Sequence, residues 1–172
     1  MAKAKYQLGD FLALVDSDDR SFVLAVHEML LQDNCKPKIQ VTKSTGLQLS
    51  YSQPKIKTAA GVILIFFVYE DKLMIRIYGV NHKAYPDVLN RLPEKMVHQI
   101  DNAADCIKFA DPQRCWKGCR GYDFEIAEKH YQKCLVQCFQ FCVDAESIPH
   151  LMALITNELR ERVTALRSSL TF

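Results

Sequence analysis

Six of the seven cysteines of this chain fall in one stretch, which runs from Cys106 to Cys142. The central four form the pattern C-x3-C-x14-C-x3-C, and they are Cys115, Cys119, Cys134 and Cys138. Structural zinc is held by four soft ligands in a tetrahedron, usually supplied as two close pairs from separate parts of the chain. The spacing therefore predicts a structural Zn2+ site at these four cysteines, with Cys106 and His130 as alternative ligands.

The second cysteine pair can share one ion only if the chain between its members is bent. Side chains four residues apart are about 6 Å apart on a helix but roughly 13 Å apart on a strand, too far for Zn–S bonds of about 2.3 Å. The sequence CFQFCVD alternates like a strand and would place Phe139, Phe141 and Val143 on one face. We therefore predict a bend at 135–137 that is followed by a strand.

The same cysteines allow other chemistry. Four thiolates also hold iron–sulfur clusters, and unligated thiols can be buried apolar groups or form a redox-active disulfide. Basic neighbours such as Arg114 and Arg120 favour the thiolate form, which serves metal binding and thiol reactivity alike. A zinc ion with four protein ligands keeps no open position, so we expect it to hold the loop at 110–122 in place. Trp116 in that loop is expected to cover the edge of a small core or metal site.

The overall composition is that of an ordinary globular protein. The chain has 172 residues, of which 49% are hydrophobic and 24% are charged, and its formal net charge is +2. So balanced a charge gives no argument for binding nucleic acid or a membrane surface. We see no secretory signal, and the longest apolar run, AAGVILIFFVY, is too short to span a bilayer. A cytoplasmic protein with mostly reduced thiols is therefore expected.

The N-terminal half predicts helices followed by a sheet. A short helix is expected in LGDFLALV, and a longer one after DSDD, capped by Asp18 or Asp19 and ending near Gln32. Asn34 and Pro37 then stop the helix. Alternating apolar residues predict strands in KIQVTK, GLQLSYS and KLMIRIYG, and the uniformly apolar GVILIFFVYE predicts a central strand. Together these four segments indicate an antiparallel meander.

The C-terminal half returns to helix. The chain from Asn81 predicts two short helices, with Pro86 in the first turn of one and Pro93 at the first position of the other. The segment after Asp144 has the strongest helical pattern, and ELRER is predicted to be its solvated side. Its predicted buried stripe is Leu151, Leu154, Ile155, Leu159 and Val163. We therefore expect a single α+β domain over residues 1–172, with a meander sheet packed against N-terminal, middle and C-terminal helices.

Three phrases of the chain resemble a family of small bacterial cytosolic proteins with a cysteine cluster in the C-terminal part. They are RIYGVNHKAYPDVLNRLP, GYDFEIAEKHYQKC and CFQF, and the resemblance extends over roughly residues 35–160. That family has no established activity, so the resemblance implies no function. The order of elements also resembles the small α+β domains of the YdhG-like and TfoX-like groups, and a likeness of fold does not give function.

The sequence shows no complete catalytic motif: it has no G-x-S-x-G, no P-loop and no G-x-G-x-x-G. We therefore expect a non-enzymatic binding or interaction module with a structural zinc site and an unknown protein partner. The first alternative is a thiol-redox or iron–sulfur protein that uses the same cysteines. The second is a nucleic-acid-associated regulator of the TfoX-like type, which predicts one basic face formed by Lys36, Lys38, Lys43, Lys55 and Lys57.

Overall fold

The computed structural model describes residues 6–53, 61–115 and 119–168, with side chains described through Ala165. The fold is α+β, as the sequence predicts, and short 3-10 turns cover His82–Ala84 and Pro112–Arg114. In chain order the elements are α1 (Leu8–Leu12), α2 (Ser17–Gln32), β1 (Lys36–Thr42), β2 (Gly46–Ser52), β3 (Val62–Tyr69), β4 (Lys72–Ile77), α3 (Pro86–Leu89), α4 (Glu94–Asn102), α5 (Ile107–Ala110), β5 (Tyr122–Ile126), β6 (Lys129–Lys133), β7 (Gln140–Cys142) and α6 (Ile148–Ser168).

The chain divides into two compact units. The first holds the chain up to Ile77 together with Phe141–Ala145, and the second holds Tyr78–Gln140 and the chain from Glu146 onward. The single domain expected from the sequence stays a prediction. None of the helices in the described ranges has both the length and the apolar character needed to cross a membrane.

A five-stranded sheet with the order β1-β2-β3-β4-β7 forms the centre of the first unit. Strands β1 to β4 pair antiparallel as the predicted meander, and the register places Leu49 beside Phe66 and Phe66 beside Ile75. The uniformly apolar β3 lies in the middle of the sheet, as expected, because both of its faces need cover from water. The predicted strand after the 135–137 bend is β7, which adds to the β4 edge.

Helix α2 packs on one face of this sheet. The ring of Phe22 meets that of Phe66 edge-on, with centroids 5.9 Å apart. Nδ1 of His27 lies 2.7 Å from the hydroxyl of Tyr51, a side chain with no exposed surface. This hydrogen bond satisfies a phenol group that would otherwise be buried without a partner, and it joins the helix to β2.

The N-terminal cap of α2 differs from the prediction. The cap is Asp16, whose carboxylate accepts a hydrogen bond from the amide of Ser17 at 2.7 Å. Asp18 and Asp19 lie inside the first turn and are not the cap. The free amide groups at this end of the helix favour acidic residues there. The end of the helix follows the prediction, because Asn34 takes the left-handed conformation with φ 58°.

The second unit packs α3 against α6 and against the two-stranded ribbon of β5 and β6. The ribbon aligns Phe124 with Tyr131, and the two rings stack with centroids 5.3 Å apart. The sequence predicts no hairpin here. Its turn residues Ala127 and Glu128 have φ of 46° and 66°, a conformation that glycine or asparagine usually signals. The turn therefore lacked the residue types that mark a hairpin.

Three predictions about the later helices are wrong. Pro93 precedes α4 as its cap and is not its first residue. Val163 is 41% exposed, while Glu158 and Arg162 of the expected solvated side are 0% and 3% exposed. Both charged residues continue the stripe of Leu151 and Ile155 at steps of three or four residues. Their charge, and not their position on the helix, suggested exposure.

The hydrogen bond between Tyr51 and His27 gives a direct test of the first unit. We expect Tyr51→Phe to lower the free energy of unfolding by about 1 kcal/mol, because one partly buried hydrogen bond is lost while the ring stays in place. The matched control is Tyr69→Phe, since Tyr69 is 53% exposed and should change stability by less than about 0.5 kcal/mol. Urea unfolding of both variants measures the difference, and equal stabilities would contradict the role of this bond.

Candidate functional site

The four predicted zinc ligands all lie in the second unit. Cys115 follows the 3-10 turn Pro112–Arg114 and is half-buried, and Cys119 is buried ahead of β5. Cys134 follows β6 directly, and Cys138 is fully buried just before β7. In the sequence, the first cysteine pair therefore precedes the β5–β6 ribbon and the second pair follows it.

The predicted bend at 135–137 is confirmed. The amides of Gln137 and Cys138 both donate to the carbonyl of Cys134, at 3.2 and 3.0 Å, which closes one helical turn. Upstream, Lys133 is 8% exposed and its ammonium donates to the carbonyls of Asp101 and Ala103 at the end of α4. This lysine fixes where the turn begins, and the turn places Cys134 and Cys138 together.

The described geometry does not gather the four cysteines. Among the residues that the structure describes, no group of three or more His, Cys, Asp or Glu side chains is placed to hold a metal ion. Burial raises the pKa of the Cys138 thiol. The zinc site and the iron–sulfur alternative stay predictions.

The two alternative ligands have other neighbours. Cys106 precedes α5 and lies against Gly121, where an added Cβ would come within 2.7 Å of its sulfur. Nε2 of His130 lies 3.0 Å from Asp123. Of the predicted basic face, Lys36 and Lys38 are exposed two residues apart on β1, whereas Lys55 and Lys57 lie outside the described residues, as does Trp116. That face also stays a prediction.

A buried histidine that the sequence analysis did not single out forms the centre of the second unit. His82 is 5% exposed; its ring stacks on Phe139 at 3.9 Å and meets Tyr122 edge-on at 4.6 Å. Burial, and then the positive charge of Arg162, lower its pKa to about 3, so the ring is neutral near pH 7. Within the described part of the chain, its Nε2 atom is buried without a hydrogen-bond partner. Such a group costs stability and calls for a reason.

Gly79 is required beside this ring. A Cβ at Gly79 would lie 1.9 Å from Cε1 and 2.2 Å from Nε2 of His82, far inside any real contact. The amide of Gly79 donates to the hydroxyl of Tyr122 at 3.1 Å, and burial raises the pKa of that phenol. The imidazole is therefore held between aromatic rings and backbone, with no space in which to turn.

A buried ion pair on α6 holds the segment that carries His82. Arg162 Nε donates to Glu158 at 2.6 Å, and a second guanidinium nitrogen donates to the carbonyl of Tyr78 at 2.6 Å. The Glu158 carboxylate also accepts from the amide of Val80, at 3.0 and 3.1 Å, and from the hydroxyl of Tyr85 at 3.2 Å. Burial raises the pKa of Glu158, and these donors oppose that shift by stabilising the ionised form.

An exposed ionic cluster lies next to the buried histidine. Asp123 accepts from Lys83 at 2.9 Å, from His130 at 3.0 Å and from Gln132 at 3.4 Å. The hydrogen bonds of His130 and then Lys83 lower the pKa of Asp123 to about 2, so this carboxylate is ionised throughout the physiological range. The Lys83 side chain is 65% exposed.

Two cavities open on either side of this cluster, and both are lined in part by His82, Lys83 and Asp123. The larger, about 240 Å³, is here named the α3 cavity, and its other walls are Pro86, Leu89, Phe124 and Glu125. The smaller, about 210 Å³, is named the Gly79 cavity, and its further walls include Gly79, Asn81, Arg120 and Tyr122. The arrangement combines an apolar floor with a charged rim, which suits recognition of a small molecule.

Little in the sequence marks this site. His82 stands alone in a turn, and Asp123 and Glu125 are ordinary alternating residues of a strand. The one usable signal is the position of Glu158 and Arg162 on the buried stripe of α6, which predicts a buried ion pair and hence a partner segment for it. The partner segment itself is far away in the chain and has no pattern of its own.

The buried ion pair should dominate the stability of the second unit. We expect Glu158→Ala to lower the free energy of unfolding by about 3–5 kcal/mol, because Arg162 is then left buried without its counter-charge. Glu161→Ala on the same helix is the matched control, since Glu161 accepts an exposed hydrogen bond from the Asn81 side chain at 3.5 Å, and its loss should cost less than about 1 kcal/mol. Chemical denaturation checks both, and similar losses in the two variants would argue against the pair.

The buried neutral histidine predicts a loss of stability in acid. The unfolded chain takes up a proton at His82 near its ordinary pKa of 6.5, whereas the folded chain does so only near 3. Between these values the unfolded state binds one more proton, so stability falls as the pH drops, by about 1 kcal/mol per pH unit. We expect His82→Leu to reduce the slope of unfolding free energy against pH between 6 and 4 by about one proton. An unchanged slope would show that His82 titrates normally in the fold.

Comparison with family models, with curated proteins and with solved structures finds no match to this chain. The resemblance to small bacterial cytosolic proteins and the likeness to YdhG-like and TfoX-like domains therefore stay predictions.

Proposed function

We propose that the protein is a binding module for a small molecule, and that its ligand site is the α3 cavity together with the adjoining Gly79 cavity. The observation that carries the proposal is that both cavities share His82, Lys83 and Asp123. These walls belong to two separate stretches of the chain, the turn before α3 and strand β5. A concave surface with an apolar floor and a few convergent polar groups is where small ligands usually bind.

Ionisable groups with shifted pKa values cluster at the same place. His82, Tyr122 and Asp123 line one or both cavities. Burial lowers the pKa of His82 and raises that of Tyr122, and the hydrogen bonds of His130 and Lys83 lower the pKa of Asp123. Groups with shifted pKa values in a cleft favour a functional site. Here the clustering adds support because these groups line the two cavities.

Binding suits this site better than catalysis. Nε2 of His82 has no contact with solvent, so it is not placed to exchange a proton with a bound molecule. Asp123 is engaged by three donors and Lys83 is held by Asp123, which leaves neither as a poised base or nucleophile. The lining groups are arranged to orient a ligand. This agrees in class with the binding module expected from the sequence, with a small molecule in place of the unknown protein partner.

A fragment screen by two-dimensional NMR on the isotope-labelled protein tests this proposal. We expect some fragments to shift the backbone amide signals of Lys83, Leu89 and Phe124. Glu125→Phe places a large ring at the exposed rim of the α3 cavity and should abolish those shifts. Val136→Phe is the matched control, because Val136 is 45% exposed and does not line the α3 cavity.

Two results would overturn the proposal. One is a screen in which no fragment shifts the signals of the lining residues. The other is a Glu125→Phe variant that is folded, as judged by its dispersed NMR signals, and that binds the same fragments as the wild-type protein does. Either result would leave the cavities without a binding role.

A further inference from the structure

We infer that the ligand of the α3 cavity is a small organic cation, an amine or guanidine that carries a short apolar group. This inference rests on the proposed function and adds the class of ligand. The floor of the cavity is formed by Pro86, Leu89 and Phe124, and its charged rim by Lys83, Asp123 and Glu125. The rim therefore has two carboxylates and one ammonium group.

The two carboxylates lie on the same side of the ribbon. Asp123 and Glu125 are two residues apart on β5, and side chains at that spacing share a face of a strand. Within the described ranges, Asp123 is paired with Lys83 and His130, and no ion pair is found for Glu125, whose cross-strand neighbour is His130. Among the residues that line the cavity, two carboxylates thus stand against one ammonium group, and an incoming cation would balance the second carboxylate.

Lys83 shows how a ligand ammonium would be held. Its Nζ lies 2.9 Å from Oδ1 of Asp123, a normal charge-assisted hydrogen bond. The lysine side chain is 65% exposed, and ion pairs at that exposure contribute little to stability. A ligand amine can therefore replace the lysine on Asp123 at small cost, while its apolar group contacts Leu89 and Phe124.

The neighbouring Gly79 cavity does not offer an equally good site for an anion. Backbone amides are the usual donors to a bound anion, but the amide of Gly79 donates to Tyr122 and that of Val80 donates to Glu158. Its cationic groups are the exposed Arg120 and the same Lys83 that Asp123 already holds. Two of the backbone donors at this cavity are therefore committed to the fold.

The size of the α3 cavity limits the ligand. Its volume of about 240 Å³ is below the roughly 300 Å³ at which pockets for drug-sized molecules begin. A branched alkyl group of a few carbons would cover the floor formed by Pro86, Leu89 and Phe124. A ligand of this size has few contacts, so we expect dissociation constants on the order of millimolar for single fragments.

Three molecules of nearly equal shape and different charge test the inference: isopentylamine, isopentanol and isovalerate. Each is titrated into the labelled full-length protein at constant pH and ionic strength, and the amide signals of Leu89 and Phe124 are followed. We expect isopentylamine to bind about tenfold or more tightly than the alcohol, and isovalerate to bind most weakly, because charges of like sign repel at the rim.

Two variants change the rim charge in opposite directions. Lys83→Ala removes the competing ammonium and should tighten isopentylamine binding by about two- to fivefold, the range expected for a weak exposed ion pair. Asp123→Asn should weaken it by a similar or larger factor. Lys95→Ala is the matched control, since Lys95 pairs with Glu146 at 2.8 Å and lies outside the α3 cavity. Glu125→Gln provides a second loss of charge in case Asp123→Asn perturbs the ribbon.

The outcomes separate this inference from the proposed function. If isovalerate binds more tightly than isopentylamine, or if Lys83→Ala weakens amine binding, the inference of a cationic ligand is wrong. The proposal of a ligand site is not affected by these results. The inference of a cationic ligand would also be wrong if none of the three molecules binds while other fragments shift the same signals. Failure of the three molecules and of the whole fragment screen would overturn both.

Discussion

The second unit of this protein depends on one buried ion pair. Glu158 and Arg162 lie one turn apart on α6, and each is almost completely shielded from water. Burying two charges costs several kcal/mol unless they are close to each other and their remaining hydrogen-bonding capacity is used. Here the guanidinium donates to the carbonyl of Tyr78, and the carboxylate accepts from the amide of Val80 and the hydroxyl of Tyr85. The desolvation cost is therefore offset only when this one segment is docked against the helix.

The rest of the candidate site follows from that docking. His82 lies between the anchored residues, and the segment's fixed path presses its ring onto Phe139 and Tyr122. Lys83, the next residue, then reaches Asp123 on β5. A chain held at several points within a few residues leaves little freedom to the side chains between them. This explains how an isolated histidine and an exposed lysine come to line the same two cavities.

The path of the chain at Cys134 and Cys138 is held by hydrogen bonds to backbone carbonyl groups. The ammonium of Lys133 binds carbonyl groups at the end of α4, and the amide of Cys134 donates to the carbonyl of Ala104. Together they set the start of the turn that carries Cys134 and Cys138. The thiols thus sit in a segment whose path is determined by backbone and lysine contacts, whatever chemistry they perform. Burial raises the pKa of the Cys138 thiol, so this group stays protonated near neutral pH.

Local patterns in the sequence determined much of the fold of this protein. Alternation and apolar runs predicted β1 to β4 and the central place of β3. The spacing of Cys134 and Cys138 predicted the bend at 135–137. These features depend on neighbours within a few residues, so a single sequence contains the information. The turn at Ala127 and Glu128 was missed because its positive φ angles are adopted without glycine or asparagine.

Only the tertiary structure decided where the candidate site lies. Glu158 and Arg162 look like a solvated helix face in the sequence, and their burial depends on donors and acceptors about eighty residues away in the chain. His82 and Asp123 acquire their shifted pKa values from burial and from partners that come close only in the fold. Charge compensation and desolvation are properties of a three-dimensional environment. For that reason composition and spacing indicated the kind of fold, whereas long-range packing determined which residues line the cavities.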